Sequence, residues 1–168
     1  MNKKETDSFL KIMTLKVNGF RGGVDETVHD EICLEHMRQI KQLIDKVLIN
    51  KNDIIILQEI PYKIKESWRW NWLDNTLHNS FIKIFQEYKI LKPKYLINAM
   101  QCTVAICKKD SSWQQLPVDV LHYDTKHSYR NKFVELQCGE ITLLGVHMPT
   151  DNMMWDLLIQ ALNDAPYT

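Results

Sequence analysis

The sequence predicts a mixed α/β (α+β) fold, and three observations carry that prediction. Residues 53–61, Asp-Ile-Ile-Ile-Leu-Gln-Glu-Ile-Pro, contain four consecutive large aliphatic residues, a run typical of a strand buried on both faces of a sheet. A helical pattern precedes this strand and an earlier strand precedes the helix, an order typical of parallel neighbours. From residue 94 onward the apolar positions recur with period two, which indicates further strands.

Length and composition limit the class of protein. We expect the 168 residues to form a single domain, because that length suffices for a substantial core. The 21 basic and 21 acidic side chains cancel, so any site for a polyanion must be local. The first apolar stretch, residues 9–17, is interrupted by Lys11 and Lys16 and lacks the small-residue cleavage site of a signal peptide. No stretch suits a membrane span, and we expect a soluble, cytoplasmic protein.

The first half of the chain contains two strands and two helices by its pattern. A strand over residues 9–17 ends at Asn18-Gly19, a pair suited to a tight turn. From about Asp25 the apolar steps of three and four predict a helix of about six turns with one face on the sheet. A second helix is predicted over residues 67–88. Its three tryptophans between residues 68 and 72 could stack on bases, but aromatic residues at helical spacing are more typical of a core.

The second half contains five predicted strands and a final helix. The strand ranges are 95–99, 102–107, 118–122, 132–137 and 141–147. A short turn with Gly139 joins the last two strands, which indicates antiparallel partners. Cys102 and Cys107 lie five residues apart in one strand, which places them on opposite faces. The final helix is predicted to begin at residue 151 or 152.

Three predicted strands end in side chains with useful chemistry, namely Asn18, Glu59 and His147. Each strand comes from a separate part of the chain, and we expect the three side chains to converge at one rim of the sheet. A rigid strand holds such a group more firmly than a loop does. For Glu59 considered alone, the simpler interpretation is that it is the first solvated residue after a core strand.

The segments around these strand ends resemble the endonuclease/exonuclease/phosphatase superfamily, whose fold is that of deoxyribonuclease I. Residues 12–21 (IMTLKVNGFR) are similar to the family's first strand, and residues 53–59 (DIIILQE) are similar to its D-I-L-x-L-Q-E motif. Residues 144–149 (LGVHMP) are similar to its V-x-V-H-x-P strand end. The three motifs occur in the family's order across nearly the whole chain. The resemblance implies a deoxyribonuclease I-like β-sandwich flanked by helices.

The resemblance also implies a function, that of a metal-dependent, nuclease-like phosphoester hydrolase that uses water as nucleophile. Glu59 would bind Mg²⁺, or Mn²⁺ in its place. His147 and Asn18 would be catalytic, the histidine as a donor to the phosphate oxyanion and the asparagine through its amide. Lys16 and Arg130 are candidates for contacts with the substrate phosphate, although a solvated arginine is the simpler interpretation of Arg130.

Two departures from the family's pattern bear on this expectation. Lys16 stands where the family commonly has asparagine, and a lysine neither accepts a hydrogen bond nor ligates a metal. The family's G-D-x-N and S-D-H segments, which orient and activate water, are expected beyond residue 168. Residues 1–168 then correspond to roughly the N-terminal two thirds of the family's domain, with the C-terminal part missing. We therefore expect them to bind metal weakly and to turn over slowly.

Other functions stay open on the sequence alone. The chain could be a catalytically silent remnant that binds a partner, or forms a homodimer, through a sheet face that a missing half would cover. Apolar faces of residues 102–107 and 141–146 would then be exposed to water. The chain could also be an ordinary α/β scaffold with solvated strand ends. Among phosphoesters, the family handles DNA, RNA, inositol phosphates and phospholipids, and we favour nucleic acid.

Overall fold

In a computed structural model, the protein forms two packed β-sheets with helices on one outer face. The structure describes residues 10–20, 30–61, 75–93, 101–116 and 130–147, and helical residues at positions 155, 156, 158, 159 and 163. The helices are α1 (Asp30–Val47) and α2 (Asn75–Ile84). The strands are β1 (Ile12–Lys16), β2 (Ile54–Pro61), β3 (Tyr88–Leu91), β4 (Gln101–Lys108), β5 (Gln114–Gln115), β6 (Phe133–Cys138) and β7 (Ile141–Val146), and short 3-10 turns cover Asn18–Phe20 and Arg130–Lys132. This is the predicted mixed α/β class.

The two sheets have different topologies. The first sheet has the strand order β1-β2-β4-β3, and the second has the order β5-β6-β7. β1 and β2 are parallel, which requires a crossover between them, and α1 lies in that connection as the sequence predicts. β4 runs antiparallel to β2 and β3, and the second sheet is antiparallel throughout. The predicted hairpin of the last two strands is present as β6 and β7.

β2 is buried on both faces because each face of the first sheet is covered. Ile55 and Leu57 pack into the core beneath α1 and α2. Ile54 and Ile56 pack into a second core between the sheets, with Trp113. The alternation follows from the period of two in a strand. The aliphatic run therefore forms the doubly covered strand that it predicts.

β4 is also covered on both faces, which contradicts the expectation of an open apolar face on residues 102–107. Cys102 lies in the core beneath the helices and Cys107 in the core between the sheets, as their spacing predicts. In β7 the side chain of Ile141 is 47% exposed, whereas Gly145 is buried. The second sheet covers β4 because the hairpin places Val134 and Leu136 against it. The homodimer stays a prediction, but the buried faces of β4 cannot be its contact surface.

The second helix ends earlier than the sequence predicts. α2 ends at Ile84, and its last backbone hydrogen bond runs from the N–H of Phe85 to the carbonyl of Phe81. Tyr88 begins β3 and pairs with Lys108 of β4. The apolar spacing predicts that Tyr88 belongs to the helix. In the structure its backbone pairs with β4 instead, and tyrosine is a residue that favours strands. Pairing across the sheet thus overrides the local pattern.

Some predicted elements fall outside the described residues. These are residues 25–29 of the first helix, residues 67–74 of the second, and the strands at 95–99 and 118–122. Helical backbone at residues 155, 156, 158 and 159 agrees with the predicted final helix, and Leu158 is buried. The sequence patterns did not indicate β3 or β5. In the described segments, none of the helices has the length and apolar character needed to cross a membrane.

Asp53 anchors the turn that leads into β2. Its buried carboxylate accepts hydrogen bonds from the backbone N–H groups of Lys11 (3.1 Å), Ile49 (3.1 Å) and Asn50 (2.7 Å). Burial raises the pKa of this carboxyl, but the hydrogen bonds from Asn50, Lys11 and Ile49 hold the pKa below its usual value. The ionised side chain therefore joins the segment before β1 to the turn after α1.

Replacing Asp53 by asparagine is expected to lower the free energy of unfolding by about 2–3 kcal/mol, because three backbone donors lose a charged acceptor. The folded-state pKa lies below the unfolded value of about 3.9. The stabilisation is therefore complete above that value and is lost as the pH falls through the folded-state pKa. Urea unfolding of both proteins at about pH 7 and about pH 3 measures this change. Asp110→Asn, at an exposed carboxyl, is the control, and an equal difference at both pH values would contradict the role of Asp53.

Gly145 allows β7 to approach β2 closely. A Cβ atom there would lie 2.7 Å from Cγ1 of Val134 and 3.0 Å from Cγ2 of Ile56. Gly145→Ala is therefore expected to lower the free energy of unfolding by about 1–3 kcal/mol through overpacking. Chemical unfolding measures the loss, and Thr142→Val, at an exposed position of the same strand, should change stability by less than about 0.5 kcal/mol. Wild-type stability of Gly145→Ala would argue against the close approach.

Candidate functional site

Three side chains from three strand ends meet at one edge of the two sheets. The Nζ atom of Lys16 lies 3.1 Å from Oε1 of Glu59, and Nε2 of His147 lies 3.2 Å from the same oxygen. Lys16 ends β1, Glu59 lies near the end of β2, and His147 directly follows β7. The structure thus brings Glu59 and His147 into contact and adds Lys16 to them. The catalytic and metal-binding roles of these residues stay predictions.

A β-bulge in β2 aims Glu59 at this edge. The pairing of β2 with β4 shifts register between Leu57 and Ile60, so that β2 contains one extra residue there. Leu57 and Ile60 both pack beneath the helices although they are three residues apart. Glu59 lies between them with a φ of 62°. A regular strand would point Glu59 to the same face as Leu57, and the bulge turns it toward His147 instead.

Strained backbone is concentrated at the same edge. In the described segments, the non-glycine residues with positive φ are Asn18 (47°), Phe20 (64°) and Glu59 (62°). Such a conformation costs roughly 1–3 kcal/mol for each residue, and it persists when the surroundings hold it. Phe20 is held by a hydrogen bond from its N–H to the carbonyl of Val17 (2.8 Å) and by its ring, 5.9 Å from that of Phe81. Strain held in this way is typical of functional sites.

Asn18 reaches the edge through the 3-10 turn after β1. It begins that turn, two residues beyond Lys16, and its side chain is exposed. The turn packs against β2 and α1. The Nδ1 atom of His36 on α1 lies 2.8 Å from the carbonyl oxygen of Phe20. The helix therefore helps to fix the turn that places Asn18 at the same edge as Glu59.

Gln58 joins the two sheets beside this edge. Its Nε2 donates to the carbonyl of Val146 (2.9 Å) and to Oγ1 of Thr14 (3.2 Å). The next residue after Val146 is His147, whose N–H donates to the carbonyl of Lys132 (2.8 Å). Gln58 therefore helps to position His147, a role that the sequence patterns did not reveal. The sequence does contain one signal for this role. Gln58 continues the alternation of Ile54 and Ile56, which face the core between the two sheets.

Arg130 lies near the same edge by its backbone. It begins the 3-10 turn before β6, two residues before Lys132. Its side chain is outside the part of the chain that the structure describes, so its contact with phosphate stays a prediction. Lys132, which directly precedes β6, lowers the pKa of His147 through its positive charge.

His147 is held in its neutral form by its surroundings. Burial lowers the pKa of the imidazole, the carboxylate of Glu59 raises it, and Lys132 and Lys16 lower it, with a net shift below the usual value of about 6.5. At neutral pH the ring is therefore uncharged. Contact with a carboxylate oxygen requires a proton on Nε2, so Nδ1 carries the lone pair. Such a ring can accept a proton.

The second oxygen of Glu59 suits a hard cation. Oε1 contacts Lys16 and His147, whereas Oε2 is buried and accepts no hydrogen bond from the described residues. A buried polar atom without a partner is costly, and Mg²⁺ prefers carboxylate oxygens. The described segments contain no group of three or more His, Cys, Asp or Glu side chains placed to hold a metal. Glu59 therefore offers a cation one carboxylate oxygen that no described residue engages.

Comparison with known proteins adds no relative to this description. The chain matches no protein-family model and no curated protein. The family resemblance therefore rests on the three sequence motifs.

Proposed function

We propose that this protein is a metal-dependent phosphoester hydrolase with a deoxyribonuclease I-like fold and with nucleic acid as its favoured substrate. The observation that carries the proposal is the Glu59 carboxylate, which a bulge aims at an edge shared with Lys16 and His147. Its buried Oε2 has no hydrogen-bond donor among the described residues. Two packed sheets with helices on an outer face support the proposed β-sandwich.

The residues of the edge divide the work of hydrolysis. Glu59 would hold the cation through Oε2, and Asn18 would add its amide oxygen from the neighbouring turn. When bound, Mg²⁺ or Mn²⁺ would offset the negative charge that develops on the phosphate oxygens. His147 presents Nδ1 as the acceptor for a proton from the attacking water, while Nε2–H stays on Glu59. Attack on phosphorus would then break the bond to the ester oxygen, which would leave as an alcohol by taking a proton from bulk water.

The charges at the edge favour a phosphodiester. The ammonium group of Lys16 lies 3.1 Å from Glu59, and Lys132 acts electrostatically on His147. Lys16 is 57% exposed and can extend toward a phosphate. The whole chain has no net charge, so attraction to a polyanion has to come from local positive side chains such as Lys16. The location of both lysines beside the proposed nucleophilic site supports a substrate phosphate at this position.

One assay tests the proposal and the substrate class together. Purified residues 1–168 are incubated with DNA, RNA or a phosphoinositide, with Mg²⁺ and with a chelator, and cation binding is measured by calorimetry. We expect cleavage of nucleic acid that is sensitive to chelator. It should be slow, because the described residues bring one carboxylate, Glu59, to this edge, and one carboxylate holds Mg²⁺ loosely. Cleavage of the phosphoinositide instead would change the substrate class. Absence of both cation binding and hydrolysis would overturn the proposal.

A further inference from the structure

The charge of Glu59 is already balanced by a side chain of the protein itself. The Nζ atom of Lys16 lies 3.1 Å from Oε1, within ion-pair distance. The side chain of Glu59 is 12% exposed, whereas that of Lys16 is 57% exposed. A nearly buried carboxylate therefore carries a counter-ion that is itself largely hydrated and mobile at the end of a four-carbon chain.

A divalent cation at Glu59 would lie next to this ammonium group. Two like charges separated by about 4 Å repel each other measurably even where water screens them. Among the described ion pairs, Glu59 is the acidic partner of Lys16. We propose that Lys16 competes with the divalent cation for Glu59, and that a phosphate group relieves this competition by binding Lys16. The inference rests on the proposed function, because it takes Glu59 as the cation ligand.

The backbone allows Lys16 to change partners without moving the strand. Lys16 pairs with Gln58 in the parallel ladder, and the N–H of Val17 donates to the carbonyl of Gln58 (3.0 Å). These contacts fix the Cα atom, while the exposed side chain keeps its rotamers. A phosphate that draws the ammonium away removes a positive charge from beside a cation held by Glu59. Cation and phosphate therefore bind cooperatively, and each raises the affinity of the other by the same factor.

The competition is expected to be moderate in size. An ion pair with one largely exposed partner is weak, because water and salt screen it. Removing the charge of Lys16 should therefore strengthen divalent-cation binding on the order of five- to tenfold. Replacing it with arginine should have little effect, because arginine keeps the positive charge. Charge, rather than the shape of the side chain, is the tested variable.

The test is Mn²⁺ binding to purified residues 1–168, measured by electron paramagnetic resonance of the free ion. The proteins are wild type, Lys16→Gln, Lys16→Met, Lys16→Arg and the control Lys51→Gln, which removes an exposed lysine at the other end of β2. We expect the glutamine and methionine variants to bind Mn²⁺ five- to tenfold more tightly. Inorganic phosphate should tighten binding to the wild type and not to these two variants. Glu59→Gln protein corrects for Mn²⁺ held by phosphate in solution.

The outcomes separate this inference from the proposed function. Mn²⁺ binding that depends on Glu59 but is unchanged by Lys16→Gln and Lys16→Met would overturn the competition and leave the proposed metal site intact. Weaker binding in both variants would also overturn it, since Lys16 would then assist the cation. Absence of Glu59-dependent Mn²⁺ binding in every protein would overturn the proposed function, and the inference with it. Tighter binding by Lys16→Gln and Lys16→Met but not by Lys16→Arg would support the competition even if no phosphoester were cleaved.

Discussion

Replacing Glu59 by glutamine is expected to abolish divalent-cation binding at this edge and to lower cation-dependent cleavage by about 10²–10³-fold. The amide keeps the shape of the side chain but removes the charge that a hydrated Mg²⁺ requires from its ligand. Losing one preorganised electrostatic contact to a transition state commonly costs that much in rate. Initial cleavage rates and calorimetric titration with Mg²⁺ measure the two losses.

The fold should survive this change, so that the loss can be assigned to chemistry. The buried Oε2 atom has no hydrogen-bond donor in the described structure, and the partner Lys16 is largely exposed. Removing the carboxylate charge therefore leaves no buried charge unpaired. Glu140→Gln makes the same chemical change at an exposed turn and should leave both measurements unchanged. Cleavage by Glu59→Gln at the wild-type rate would remove Glu59 from the site.

The central unit of the fold could be predicted because its signals are local. The aliphatic run of β2 and the helical spacing that follows β1 together require a covered sheet with a parallel pair, and the structure contains both. Period two also predicts that Cys102 and Cys107 of β4 lie on opposite faces, as they do. In contrast, the sequence pattern places Tyr88 in a helix and does not indicate β3, because the pairing of β3 with β4 involves residues that are distant in sequence. A local pattern therefore predicts a helix or strand correctly only where pairing with a strand distant in sequence does not favour another structure.

The direction of Glu59 could not be predicted from the same period. A strand that ends at Glu59 was expected, but β2 continues to Ile60 and Pro61, which are both buried. The residue that interrupts the register is Glu59 itself. The available signal was the spacing of Leu57 and Ile60, two large apolar residues three positions apart within a strand. A period of two cannot place both on one face without an extra residue between them.

The contact between Lys16 and Glu59 depends on two features that act together. The parallel register places Lys16 beside Gln58, and the bulge then turns the next residue of β2 toward the lysine. The motif comparison identified Lys16 as a departure from the family's asparagine and suggested a phosphate contact. It did not indicate an ion pair, because neither the register nor the bulge is visible in a motif. The ion pair of Lys16 with Glu59 is therefore a property of the tertiary structure.

Replacing His147 by glutamine is expected to lower the turnover number by about 10²–10⁴-fold, the usual effect of removing a general acid or base. The amide N–H of glutamine can still face Oε1 of Glu59, so divalent-cation binding should change little. It cannot accept the proton that the neutral imidazole takes up at Nδ1. The Michaelis constant should therefore stay close to the wild-type value while the turnover number falls.

The matched control for this variant is His78→Gln. His78 is a second partly buried histidine whose Nδ1 atom lies 2.8 Å from the carbonyl oxygen of Pro61, at the end of β2. Its pKa is also lowered, chiefly by burial, so the control removes a similar imidazole near the same strand end. Equal losses of activity in both variants would indicate a disturbance of β2 rather than loss of a proton acceptor. If His147→Gln instead abolished cation binding and kept its turnover number at saturating cation, His147 would act by orienting Glu59, and the proton would have to pass to another group.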